Sequence, residues 1–295
     1  MKTTLRQNTV RSTAAILIVL WASVGAAETE LPAAVRDAIG QQTRYTAEER
    51  QGVARAAERA VRAGVPADDV AVVISRSGAR SADSAMTERL LGTATAVQEQ
   101  GLPAQPVLNR VQQGLAKGVP VDQVAAAAER LAGRLRDAKP LVNSTIESGV
   151  AAGSARDREY ALETVARALE RDIPKAAISG TGAKVRDQKG SVVLFDKAVG
   201  TMTGLVEGGM KPDAAARIVQ DAVKRGSSEK DLSKLERDVS EGLKKDSKTR
   251  DSGKKDRKDD RRDDRGKSGR DDSRDSGSGS GHGSRGSGSG SGSGR

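Results

Sequence analysis

Few residues in this chain could do chemistry, and the inventory excludes most familiar arrangements. There is no cysteine and one histidine, His282, which sits in a Gly-Ser run. That leaves no Ser-His-Asp triad, no Cys-His pair and no conventional zinc site. No cofactor is expected. Two acid pairs, Glu48-Glu49 and Asp68-Asp69, fall at expected helix starts, where the helix dipole accounts for them. Neighbours in a helix point to different faces, so neither pair is a ready acid/base couple. The run from Ile178 to Lys184, ISGTGAK, has the look of a phosphate loop but not its spacing, and no strand precedes it. It reads as a broken or short helix. Gly200, Gly204 and Gly208 lie four apart, and Gly92 holds the matching place earlier in the chain. A glycine ridge lets another helix approach closely. Packing inside the body is the expected use, and contact between copies, hence self-association, is the other.

Helices are the elements that must position these residues. Leu31, Val35 and Ile39 share one helical face, with Pro32 at the start and Gly40 as a stop. Thr46 and Glu49 have capping-box spacing and open a helix expected to run from Ala47 to Ala63. Its apolar stripe is Val53, Ala54, Ala57, Ala60 and Val61. Gly64 suits the left-handed residue past a helix end, and Pro66 suits the first turn of the helix opening at Ala67.

The pattern recurs at a constant shift of 54 in the numbering. Gly64 and Pro66 are followed by Gly118 and Pro120, then by Asp172 and Pro174, then by Gly226. Val53 gives Val107, Ala161 and Ala215; Ala57 gives Val111, Val165 and Val219. Ala60 gives Gly114, Ala168 and Ala222, a column that stays small, and Val70 gives Val124, Ile178 and Leu232. A shift of 108 matches better still, pairing Gly92-Thr93 with Gly200-Thr201 and Gly101 with Gly209. Self-similarity at a fixed period is the signature of a repeat architecture. The expected fold is therefore all-α: about four 54-residue units of up to three helices each. Third helices are expected at Ala82–Gln100 and Ser191–Gly208, with the second unit diverging near Pro140. Val70–Ile74 and Ser191–Phe195 have strand-like composition, but the matching Val124–Leu131 is plainly helical, so all read as helix.

The net charge of +10 is carried by the two ends. Residues 27–243 hold 31 bases against 30 acids, so no basic domain is indicated. Residues 1–26 combine Lys2, Arg6 and Arg11 with the apolar Ala14–Ala22 and small residues near 24–27. This reads as a secretory signal peptide, with a mature start at Ala27 or Glu28 and an exported, periplasmic or extracellular protein. No transmembrane segment is expected in the mature chain. Residues 244–295, first Lys/Arg/Asp-rich and then Gly-Ser, have too little apolar content to fold, so a disordered tail is expected.

Three stretches of sequence thus emerge: signal 1–26, helical repeat body 27–243 and tail 244–295. The reading is a non-catalytic scaffold that binds an unidentified protein partner. The alternative is attachment of the tail to an anionic surface or polymer, such as polysaccharide, lipid headgroup or nucleic acid, weakened by its interleaved Asp residues and by salt; an enzyme comes third. Stripes occupied by packing leave other faces for partners. On the first helix of each unit these include Glu58, Arg62, Gln112, Glu170, Gln220 and Lys224.

Overall fold

In the computed structural model, residues 30–242 are described. The expected signal segment, His282 and the tail lie outside them. Eleven helices occupy the described residues: α1 Ala33–Gly40, α2 Ala47–Arg62, α3 Ala67–Ala79, α4 Ser84–Glu99, α5 Gln105–Ala116, α6 Val121–Glu147, α7 Ala155–Glu170, α8 Lys175–Asp187, α9 Val192–Glu207, α10 Pro212–Lys224, and α11 over residues 229–242. No strand forms among them beyond an isolated parallel bridge between Ala151 and Ser191. The strand-like runs are helical, in α3 and α9. ISGTGAK lies within the uninterrupted 13-residue α8.

Each helix begins and ends for a local reason. Thr46 and Glu49 exchange side-chain to backbone hydrogen bonds of 3.2 and 2.7 Å. Their counterparts at a shift of 108, Ser154 and Asp157, do the same at the head of α7, and so do Ser228 and Asp231 at the head of α11. Asp83 and Ser191, related by the same shift, cap α4 and α9. At the far ends, Gly64, Gly118, Asp172 and Gly226 all have positive φ, of 98°, 75°, 55° and 82°. Each of these turns carries the same two backbone bonds. In the first, Gly64 N–H donates to Val61 and Val65 N–H to Ala60, at 2.9 and 3.0 Å; in the third, Asp172 N–H donates to Leu169 and Ile173 N–H to Ala168, at 3.3 and 3.1 Å. A left-handed residue closing two orphan carbonyls is the Schellman ending. Asp172 holds this conformation with a side chain, at some cost that glycine would avoid.

Two details differ from expectation. Pro66, Pro120 and Pro174 stand one residue earlier than the first turn, at the N-cap. Their extended backbone leads out of the turn, and their carbonyls accept the first helical bonds from Val70, Val124 and Ile178 at 3.0–3.2 Å. The second difference is α6. Ser81 and Lys189, again related by a shift of 108, turn the chain between α3 and α4 and between α8 and α9 with φ of 57° and 54°. Midway between them the residue is Leu135, which is buried. Leu135 stays helical with its side chain in the core, so the helix continues without a break through Pro140 for 27 residues. Pro140 is exposed, as is Arg136, whose carbonyl loses its usual partner and is left to water.

The buried columns hold the helices together. Val53, Val107, Ala161 and Ala215 are all buried, as are Ala57, Val111, Val165 and Val219, and Val70, Val124, Ile178 and Leu232. Where the small column holds Gly114, Val124 fills the space: a Cβ built there would lie 2.7 Å from its methyl group. α2 packs on α4 and α7 on α9; α3 packs on α5 and α8 on α10; α1 packs on α3 as α6 does on α8. No helix of the described residues is long and apolar enough to cross a membrane.

Candidate functional site

The straight course of α6 decides where the body is open. α4 covers one side of α2, and α9 covers the matching side of α7. Gly52 on that side of α2 faces the Glu88 carboxylate of α4, and Thr164 on α7 lies 3.6 Å from a Cβ built on Gly200 of α9. The counterparts of Gly52 and Ala56 in the second unit are Pro106 and Arg110 on α5. No third helix turns back over α5, because α6 does not turn. That side of α5 is instead the wall of a groove of about 520 Å³. The opposite wall is α7, with Glu207 from the end of α9 at its rim.

Each wall is a ladder of residues four apart. On α5 and its C-cap these are Gln105, Asn109, Gln113 and Lys117; on α7 and its C-cap, Glu159, Glu163, Arg167 and Arg171. All eight are exposed. Spacing of four residues puts successive rungs about 6 Å apart on nearly the same face. Gln105 and Glu159 line a second hollow of about 380 Å³ with Gly64, Gln98 and Leu102. The other six rungs line the larger groove, so the two hollows follow the same pair of ladders.

The electrostatics are uneven along the groove. Glu207 bridges Arg171 at 3.0 Å and Arg167 at 3.3 Å, so two guanidinium groups share one carboxylate. Arg110 spans the groove to Glu170 at 3.0 Å. Lys117, Glu159 and Glu163 make no ion pair among the described residues. Surplus negative charge therefore lies at the Glu159-Glu163 end, and surplus positive charge at the Arg167-Arg171-Lys117 end. Amides occupy the α5 wall between them, with the Gln105 amide donating to Asn109 Oδ1 at 3.1 Å.

A second polar cluster lies between α7, α9 and α11. Burial pushes the Asp196 carboxyl above the usual aspartate range; a hydrogen bond from Thr164 and the charge of Lys197 oppose this, while Glu229 and Asp157 add to it. Its Oδ1 is buried without a partner. Tyr160, 46 % exposed, carries Arg156 over its ring, 5.4 Å from the centroid. Among the described residues no group of three or more His, Cys, Asp or Glu is placed to hold a metal ion.

The residues singled out from sequence lie elsewhere. Gly64, Pro66, Gly118, Pro120, Pro174 and Gly226 form the turns, and of these Gly64 and Pro66 line the smaller hollow. Of the ridge glycines, Gly204 meets the Glu236 carboxylate of α11, and Gly200 is in ordinary contact with Thr164. Gly208 is the exposed C-cap of α9. Gly92 is not a packing glycine: it is exposed, and a Cβ there would meet nothing within 4 Å, since α2 offers it only Ala56 where α7 has Thr164.

The expected partner faces are also corrected. Gln112 donates to Asp69 at 2.8 Å and Gln220 to the Ala177 carbonyl at 3.0 Å, each binding two helices together. Glu170 is held by Arg110. Glu58 is half-buried, and only Arg62 and Lys224 of that set are exposed. Sequence reasoning misses the ladders, although the regular four-residue spacing of Gln105, Asn109, Gln113 and Lys117 is a signal. Comparison of the chain with protein-family models, curated proteins and solved structures finds no match.

Proposed function

We propose that this is an exported, non-catalytic helical repeat protein that binds a protein partner through the groove between α5 and α7. The carrying observation is a contrast between positions related by a shift of 108. Buried positions keep their character: Val165 and its counterpart Ala57 are both apolar and buried, as are Ala168 and Ala60. Several groove positions change it, while Arg167 and Lys117 keep the charge of their counterparts Arg59 and Arg225. Glu163 and Glu170 correspond to Arg55 and Arg62, while Asn109 and Gln113 correspond to Arg217 and Asp221. A fixed frame with altered charges at one concavity suits recognition of a particular partner.

What supports the repeat itself is local. The helices α2, α3 and α4 have 16, 13 and 16 residues, and α7, α8 and α9 have the same lengths. Ala47, Ala67 and Ser84 open the first three, and a shift of 108 leads from them to Ala155, Lys175 and Val192, which open the second three. The four Schellman turns share one hydrogen-bond pattern. The test is capture from the native cell envelope by the full chain and by an Arg167→Glu, Arg171→Glu variant. A partner bound by the first and not by the second is the expected result. Equal capture overturns the groove reading; capture that survives the variant but vanishes at high salt points to the tail instead.

A further inference from the structure

The geometry points to the chemistry of the partner: we propose that the groove takes an extended peptide segment, basic where it meets Glu159 and Glu163 and acidic where it meets Arg167, Arg171 and Lys117. This rests on the reading of the groove as a partner site. Its first support is size. The groove holds about 520 Å³, too little to enclose a helix of about 10–12 Å diameter along the ladders. A short extended segment laid over the Arg110–Glu170 bridge needs less.

The second support is the amide ladder. Gln105, Asn109 and Gln113 each carry both donor and acceptor groups. Their rungs recur about every 6 Å along α5. In an extended peptide, residues on one side recur about every 6.6–6.8 Å. Successive amides can therefore reach successive main-chain groups of a bound strand, holding it without regard to its side chains. Asn109 Oδ1 already accepts from Gln105, which leaves the Asn109 NH₂ group to donate to a peptide carbonyl.

The third support is the charge order on α7. Two carboxylates without an ion pair are followed by two guanidinium groups that share Glu207. Lys117 adds to the positive end from the opposite wall. From Gln105 to Lys117 the ladder covers about 18 Å, or roughly five or six extended residues. The amides hold the strand and the charges fix its direction.

The test uses the full chain and three fluorescent peptides of about eight residues. One is Lys-Lys-Ala-Ser-Ala-Ser-Glu-Glu, the second has the reverse order, and the third has Ser in place of every charge. Anisotropy titrations at low and physiological salt should find one charged order binding roughly tenfold tighter than the other two peptides. Reversing the wall (Glu159→Lys and Glu163→Lys with Arg167→Glu and Arg171→Glu) should make the opposite order the tighter one. Asn109→Ala with Gln113→Ala should weaken the preferred peptide without changing which order wins. All these side chains are exposed, and circular dichroism checks each variant's fold. Equal binding of both orders, or a preference that survives reversal of the wall, overturns the proposal. Absence of peptide binding overturns it too, and leaves the broader reading intact if envelope capture still depends on Arg167 and Arg171.

Discussion

At the scale of single residues, the interior is held by matched sizes. A Cβ built on Gly182 of α8 would lie 2.7 Å from the Thr145 hydroxyl of α6. In the first half of the chain the matching helices are α3 and α1, and a shift of 108 leads from Gly182 to the buried Ile74 and from Thr145 to the exposed Asp37. The place that takes a large side chain in α3 is closed in α8 by Thr145. Gly182→Ile alone should therefore clash and destabilise by about 1–3 kcal/mol. Combined with Thr145→Ala it should recover most of that loss. Chemical denaturation of the two variants checks it, and no recovery would mean that Thr145 is not what closes the space at Gly182.

Asp196 is the residue whose titration matters most. Its carboxyl has a folded-state pKa raised above the unfolded value, so the proton is bound more tightly in the native state. Its contribution is complete below about pH 4 and is lost as pH climbs through the raised value. Asp196→Asn removes the charge that burial disfavours while keeping a group able to bond Thr164. The variant should melt higher than the parent at pH 7, with the gain shrinking towards pH 4. A melting temperature lowered at pH 7 would show that the charge is needed for its interaction with Lys197.

At the scale of elements, turns are the most legible feature and α6 the least. Gly64-Val65-Pro66 specifies a left-handed ending and a stiff extended exit, and its regular recurrence places helix ends to within a residue or two. The fused helix is hidden in the sequence because Pro140 reads as a breaker. The informative residue is Leu135, which sits where Ser81 and Lys189 turn the chain. Its buried side chain and helical neighbours outweigh the hydrogen bond lost at Pro140. Pro140→Ala should then stabilise the protein by about 1–3 kcal/mol, because the site is exposed and the interior-helix penalty is removed. Calorimetry checks this; an unchanged melting temperature would show that α6 already accommodates the ring without strain. The groove is illegible for a different reason. Its walls lie far apart in sequence, one beginning at Gln105 and the other at Ala155, and nothing in either ladder alone reveals what faces it.

At the scale of the whole molecule, compartment and organisation are read from different signals. The export assignment rests on Lys2, Arg6 and Arg11 ahead of the apolar Ala14–Ala22. Native protein should begin at Ala27 or Glu28 by N-terminal sequencing, and a start at Met1 would remove the assignment. The organisation rests on columns of buried side chains, which sequence displays directly because packing constrains their size. Positions outside those columns carry no such constraint, so the half-buried Gln112 and Gln220 cannot be told from the exposed Arg62 and Lys224 by the pattern alone.

The straightness of α6 also sets the valency of the protein. α4 covers one side of α2 and α9 covers one side of α7, and neither leaves a cleft there. Among the described residues α5 and α10 both lack such a cover, and of the two only α5 faces a further helix, α7, across a groove. With the proposed groove as the partner site, saturation should come at one ligand per chain.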